Sequence, residues 1–249
     1  MAILITGHKG FIGQNMMAAL PGSVGHEWGD GHWSLDGIDR VIHLGAISST
    51  ACNDWDKLRE QNINSSIDLL YECAARKIPF QFASSAGVYG PNNTTFRETD
   101  KVDPQTQYAL SKCYVEHVML NRRWPMPVQV FRYFNVYGPH EHHKDQPSPY
   151  TRFRLQAVAT GQIEVFEGSD EIHRDFVPVE RVVEVHKHFF DLDVSGVYNL
   201  GTGTTKSFMD VAKEIADDTG AEIVEVPMPR IVGYQRYTCA DMTKTNALL

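Results

Sequence analysis

Tyr108 and Lys112, in the run YALSK, are four residues apart in a stretch (108–122) whose apolar residues recur every three or four positions, as on an amphipathic helix. At that spacing the two side chains share one face, a turn apart. A phenol with a reference pKa of about 10 is a poor base at neutral pH, and an adjacent ammonium stabilises the phenolate and brings it towards the working range. Such a phenolate can take a proton from a hydroxyl while hydride leaves the carbon. An exposed helical Tyr and Lys would show the same spacing, so the pair needs company to mean chemistry. It has company in SSAGVYG (84–90), directly after the strand-like PFQFA, because a hydroxyl at the C-terminal end of a strand faces the ligand crevice of an open α/β sheet. Ser85 is the candidate partner of the reacting oxygen and Ser84 the structural neighbour.

The hydride acceptor is foreshadowed at the other end of the chain. ILITGHKGFIG sets Gly7, Gly10 and Gly13 between an apolar strand and a helix, the GxxGxxG form of a dinucleotide-binding turn, where a helix N-terminus offers free N–H groups to a pyrophosphate. Asp30, in HEWGD, is the carboxylate placed to bind the adenosine ribose, although a solvated loop aspartate reads the same way. An acidic residue there favours NAD over NADP.

These residues need a sheet to hold them. Runs 2–6, 40–44, 79–83 and 128–133 read as strands, and 58–76 and 108–122 as helices, an alternation that predicts βαβ units and a parallel sheet: an α/β, Rossmann-type doubly wound fold. After Gly138 the texture becomes HEHHKDQPSP, a loop leading into a second region. The expected division is a dinucleotide-binding domain over 1–138, with 175–200 returning to it, and a small, mainly substrate-binding domain over 139–249. Within 175–200, the run 175–179 with its following helix and the run 196–203 are read as returning to the sheet or its edge. From 207 onward the sequence reads as a helix, a short strand (EIVEV) and an irregular tail.

Bulk properties exclude several classes. The 249 residues carry a formal charge of -8, with a pI near 5.7, which argues against nucleic acid or anionic membrane as a partner. No stretch approaches the roughly 20 apolar residues of a membrane span, and MAILITG enters a strand without a basic and apolar leader, so a cytoplasmic location is expected. Four scattered cysteines, without CxxC spacing, suggest neither zinc nor disulfides. The cluster His140, Glu141, His142 and His143 invites a metal, yet consecutive loop histidines rarely converge on one ion, and none is expected.

The glycine turn, the serine and the YxxxK pair occur in the order and at the intervals of the extended short-chain dehydrogenase/reductase (NAD-dependent epimerase/dehydratase) family. HLGAISST, IPFQFASSAGVYG, FRYFNVYGPHEHHK, FEGSDEIHRDFV and SGVYNLGTGTTKSF resemble its ADP-glyceromanno-heptose 6-epimerase subgroup from Arg40 onward. The resemblance implies bound NAD or NADP, a homodimer formed through the helices beginning near Leu58 and Tyr108, and reversible oxidation of a nucleotide-linked sugar at C6. It makes Tyr108 and Lys144 the two acid/base residues, Lys112 the lysine that tunes Tyr108 and holds the cofactor ribose, and Ser85 their helper. Phe11, Ile12, Leu44, Gly45, Ala46 and Asn62 fall in its cofactor-binding blocks. Asn135, in YFNVYG, resembles the family's substrate-contacting asparagine, with the capping of a strand end as the alternative reading. Arg174, in HRDFV, is a candidate for the nucleotide's diphosphate through its planar fork, and Ser48, Tyr234, Gln235 and Arg236 are further candidate substrate contacts.

Lys144 also has a chemical reason, since inversion returns hydride to the opposite face of the carbonyl and the turned intermediate needs a second proton donor; a solvated loop lysine is the competing reading. The sequence departs from the family between Gly13 and Arg40, where a whole strand and helix are missing, and at Leu249, where relatives continue into a final helix. A UDP- or dTDP-sugar 4-epimerase shares the same core set. A 4,6-dehydratase fits less well, because Ala86 and Gly87 stand where it needs Asp and Glu. A dinucleotide-binding sensor without turnover would have to account for the intact Tyr108, Lys112 and Ser85.

Overall fold

In a computed structural model, residues 1–92, 94–141, 144, 146–229 and 235–249 are described. The first half runs β1 (Ile3–Thr6), α1 (Phe11–Ala19), β2 (Val24–His26), β3 (Arg40–His43) and α2 (Trp55–Leu58). A π-helical turn (Arg59–Asn64) leads into α3 (Ser65–Arg76), β4 (Phe80–Ser85), β5 (Thr95–Phe96), α4 (Gln107–Leu120) and β6 (Val128–Tyr133). The second half runs β7 (Asn135–Tyr137), α5 (Pro149–Thr160), β8 (Gln162–Phe166), β9 (His173–Arg174), β10 (Phe176–Pro178) and α6 (Val179–His188). It ends with β11 (Gly196–Leu200), β12 (Lys206–Ser207), α7 (Phe208–Thr219), β13 (Glu222–Val226), β14 (Tyr237–Ala240) and α8 (Thr243–Asn246).

The main sheet is six-stranded in the order β11-β6-β4-β3-β1-β2, and each of its pairings is parallel. Parallel strands are buried on both faces, which is why β1, β3 and β6 are buried along their whole length. Along β1, Ile3 and Ile5 enter a core completed by Met16 of α1 and Val182 and Val185 of α6. Leu4 points the other way, to Leu69 and Leu70 of α3 and Val115 and Met119 of α4. The chain leaves β1 towards β2 on one side and returns to β3 on the other, so the strand order reverses at β1, where an open α/β sheet binds its ligand.

The α/β Rossmann reading holds, including its shortened N-terminal half. Residues 27–39 form neither strand nor helix, and β2 is the last strand on its side of the sheet. The connection substitutes for the missing unit by inserting Leu35 and Ile38 into the core beside α3, while Trp33 Nε1 donates to Glu72 of α3 at 3.0 Å.

Two late segments part company. β11 pairs with β6 and completes the main sheet, whereas β10 pairs only with β7, in a separate two-stranded sheet. A third core, with Phe153 and Ala157 of α5, Ile163 and Val165 of β8 and Val211 and Ile215 of α7, organises the remainder of the second half. The predicted irregular tail instead contains β14, which lies between β5 and β9, and α8. Among the described residues no helix is long and apolar enough to cross a membrane.

Candidate active site

A cleft of about 1030 Å³ opens over the C-terminal ends of β1, β3, β4 and β6. Its floor is the turn after β1. Gly7 is held at φ +69, and a Cβ there would stand 2.8 Å from the Gly45 backbone; a Cβ on Gly13 would stand 2.1 Å from the Gly7 carbonyl oxygen. Only glycine permits this closeness, which packs α1 against the turn and leaves the start of α1 facing the cleft. No side chain caps that helix N-terminus and no acidic residue occupies its first turn, so the N–H groups of its opening residues meet an anion without competition. The cradle fits a dinucleotide pyrophosphate.

Four buried polar groups lock the neighbouring strand ends. Thr6 Oγ1 contacts His43 Nδ1 at 2.6 Å and accepts from Gly45 N at 3.0 Å. His43 Nε2 contacts Ser66 Oγ at 2.8 Å, and Ser66 in turn donates to the Asn62 carbonyl at 2.5 Å. Burial, with Lys112 close by, holds the His43 pKa down to about 3, so the ring is neutral and works as a rigid bracket.

Asn62, wholly buried on the π-helical turn, extends the bracket to the chemistry. It accepts from Ile47 N at 2.8 Å, donates to Ile47 O at 3.0 Å and to Ser111 Oγ at 3.0 Å. Ser111 Oγ donates to the Tyr108 carbonyl at 2.7 Å. Asn62 therefore ties the segment after β3 to the helix that carries Tyr108, without itself lining the cleft.

Thr106 caps α4 through its side chain, which accepts from Ala109 N, and so sets where Tyr108 begins its turn. Tyr108, Lys112 and Ser85 all line the cleft. Burial raises the Tyr108 pKa, and a hydrogen bond with Ser85 opposes that rise. Ser85 Oγ also accepts from Gly87 N at 3.1 Å, which fixes its rotamer at the end of β4. Lys112 is buried; its Nζ donates to the Ala83 carbonyl at 2.7 Å and lies 4.6 Å from the Phe82 ring centroid. Burial pulls its pKa down to about 7, partly countered by Glu116. Ser84 also lines the cleft, but its hydroxyl is engaged by Glu116, to which it donates and whose carboxylate is clasped by Arg132.

Because the Ser85 hydrogen bond lowers the Tyr108 pKa, Ser85→Ala is expected to raise it. The limb of the pH–rate profile on which activity climbs with pH then moves to higher pH, with about tenfold loss at neutral pH per unit of displacement. An unmoved limb would detach Ser85 from Tyr108.

Phe11, Ile12, Leu44, Gly45 and Ala46 line the cleft, as do Gly7, Gly10 and Gly13. From the substrate set Ser48, Asn135 and Lys144 line it too. Asp30 does not. Its carboxylate folds back to accept from Glu27 N at 2.8 Å, and Glu27, the first residue past β2, lines the cleft in its stead. Glu27 also accepts from Lys9 N at 2.6 Å, binding the glycine turn to the sheet edge. Trp28 and Trp33, on the shortened connection, line the same end. The signal for Glu27 was present, since it follows the strand directly, but β2 is only three residues long and its end could not be read.

Arg174 and Arg236 lie outside the cleft lining. Arg174 is buried in β9, where its guanidinium donates to His173 O at 2.9 Å and to Gln235 O, and Arg236 pairs with Glu171 at 2.7 Å. Tyr234, His142 and His143 lie outside the described residues.

Comparison with known proteins agrees with this architecture. The sequence model of the NAD dependent epimerase/dehydratase family matches residues 33–201. The chain belongs to that family. Membership brings a nicotinamide dinucleotide as cofactor, in keeping with the cradle at Gly7–Gly13, and the match begins at Trp33, within the shortened connection. Among curated relatives, ADP-L-glycero-D-manno-heptose-6-epimerase of Brachyspira hyodysenteriae is 33% identical over 220 residues, 84% of this chain and 69% of that one.

Solved structures share the fold. ADP-L-glycero-D-manno-heptose-6-epimerase of Helicobacter pylori superposes with a TM-score of 0.86 at 24% identity, covering 99% of this chain and 89% of that one. UDP-N-acetylglucosamine 4-epimerase of Methanobrevibacter ruminantium M1 gives 0.89 at 21% identity, covering 99% and 91%.

Proposed function

We propose that this family member epimerises a nucleotide-linked sugar, at C6 of an ADP-linked heptose. The observation that carries the reading is the meeting, in one cleft, of Tyr108 with its Ser85 hydrogen bond and of Lys144 from the 138–148 connection. Two proton-transferring groups on separate elements suit an inversion, in which the oxygen of the oxidised sugar occupies two positions in turn. The 33% identical relative, named for such an activity, supports the choice of sugar.

When bound, the dinucleotide supplies a reversible acceptor for hydride. Gly7, Gly10 and the first residues of α1 would hold its pyrophosphate, and Lys112 and Tyr108, which line the same cleft, would bind its ribose. Tyr108 takes the proton from the sugar hydroxyl as the carbon is oxidised, Ser85 donates to the oxygen that becomes a carbonyl, and Lys112 stabilises the phenolate. The ketone then turns, and Lys144 protonates its oxygen as the opposite face is reduced. No net redox change results. Glu27 supports NAD, since its carboxylate can accept from a ribose diol and would repel a 2′-phosphate.

Ala86 and Gly87, in the tight turn after Ser85, supply no carboxylate to expel water, which argues against a dehydratase. The test is incubation with NAD and a panel of ADP-, UDP- and GDP-linked sugars, with stereochemistry followed at each carbon by NMR. Inversion at C6 of the ADP-heptose is expected. Inversion confined to C4 of a UDP-sugar would move the assignment to a 4-epimerase, and cofactor binding without any sugar change would favour a sensor.

A homodimer belongs to the same reading. Leu110 and Tyr114 of α4 and Tyr71 of α3 are 46%, 54% and 46% exposed, large apolar side chains concentrated on neighbouring helices. Light scattering is expected to give twice the 28.1 kDa chain mass, and a monomeric mass would contradict it.

A further inference from the structure

We infer that Glu141 is a positioning residue for Lys144, holding the ammonium at the cleft wall so that it meets the sugar oxygen in one place. The inference rests on the reading of Lys144 as the second acid/base.

The chain around Glu141 is bent to put a carboxylate where carboxylates rarely lie. His140 takes φ 70, a left-handed conformation uncommon outside glycine, and the turn it makes drives Glu141 inward. Glu141 is 1% exposed. Its two oxygens have different surroundings. Oε2 accepts from Ser148 N at 3.2 Å, Ser148 Oγ at 2.6 Å and Thr151 Oγ1 at 2.6 Å, three donors at the N-terminus of α5. Oε1 is buried without a hydrogen-bond partner among the described residues. The cation it faces is Lys144, whose Nζ lies 3.6 Å away.

A buried carboxylate oxygen left without a donor is costly, and native structures retain such groups where they have a task. Here the fully satisfied oxygen anchors the side chain to α5 while the other is kept for the ammonium. Lys144 Nζ is also 5.1 Å from the Phe11 ring, at the first residue of α1. Carboxylate and ring together place the charge between the dinucleotide turn and the 138–148 connection, and an otherwise flexible lysine acquires a defined position. The backbone adds to this, since Lys144 N donates to Glu141 O at 2.9 Å.

The test is a double-mutant cycle on the full-length protein. Glu141→Gln keeps the shape and an acceptor for the α5 donors but removes the charge facing Lys144. It is expected to lower kcat for epimerisation about 10- to 100-fold, the scale of a displaced reacting group, with KM changed less than about twofold. In a Lys144→Ala background the same change is expected to alter kcat by less than about twofold, because the group Glu141 positions is gone. Equal losses in both backgrounds, or a loss expressed wholly in KM, would overturn the inference while leaving Lys144 in its role. Lys144→Ala with undiminished epimerisation would instead remove the role on which the inference rests. Should Glu141→Gln not fold, Thr151→Val loosens Oε2 and leaves Oε1 in place; a several-fold kcat loss that vanishes in the Lys144→Ala background is expected, and a loss that persists there overturns the inference.

Discussion

Tyr108→Phe is expected to lower turnover by roughly two to four powers of ten, the usual contribution of a positioned acid/base, while NAD affinity and melting temperature change little. The phenol oxygen has two relations to the site: it lines the cleft, and it hydrogen-bonds Ser85. Removing it leaves Ser85 with Gly87 N as a partner, so little packing or hydrogen bonding is forfeited. What disappears is the group proposed to accept the hydroxyl proton as the carbon is oxidised. Rapid mixing, with absorbance of the reduced nicotinamide as the readout, separates this step from binding. Normal turnover in the phenylalanine variant would remove Tyr108 from the chemistry.

Lys112→Met is expected to act in opposite directions on activity and stability. Lys112 follows Tyr108 by one turn of α4 and lines the same cleft. Since an opposite charge near an ionisable group shifts its pKa by about one to three units, removing the lysine is expected to cost about 10- to 1000-fold in turnover at neutral pH. Stability follows the lysine's own titration. Its folded pKa of about 7 lies below the ordinary 10.5, because burial penalises the ammonium. Between those values the unfolded chain holds the proton and the folded chain does not, so wild-type stability falls as pH falls from about 10.5 to about 7, and the penalty is constant below. Methionine carries no such penalty. The melting temperature of Lys112→Met relative to wild type is therefore expected to rise as pH is lowered through that window and to level off beneath it. A difference independent of pH would mean that Lys112 is not held against its charge. Retaining a costly buried ammonium in the active cleft is the kind of stability sacrifice that function demands.

Much of this was readable in the chain because it is local. Residues 128–133 and EIVEV form strands at the expected positions, since continuous apolar or alternating β-rich runs carry their own signature. The glycine spacing and the Tyr108–Lys112 interval likewise survive translation into space, each lying within one turn or helix. Helix 58–76 was legible only in outline. It starts at Trp55 and passes through a π-helical turn at Arg59–Asn64, which helical periodicity does not reveal.

Non-local pairing is where local reading ended. Neither Glu141 against Ser148 and Thr151 nor Thr6 against His43 can be read from spacing, because the partners meet only once the fold brings separate segments together. Asp30 and Glu27 differ by three positions, and the choice between them depended on where a three-residue edge strand stops. The tail after 235 becomes β14 only because β5 and β9 offer it edges, a property of the fold and not of the tail.

In the proposed reaction the protein inverts a sugar carbon by removing and returning the same hydride. The most direct test supplies the protein and NAD with ADP-heptose carrying deuterium at C6, and follows configuration and isotope at that carbon by NMR. The two C6 epimers are expected to reach equilibrium with deuterium retained at C6 and no net accumulation of reduced cofactor. Inversion with loss of the deuterium to solvent, or an unchanged C6 with cofactor demonstrably bound, would contradict it.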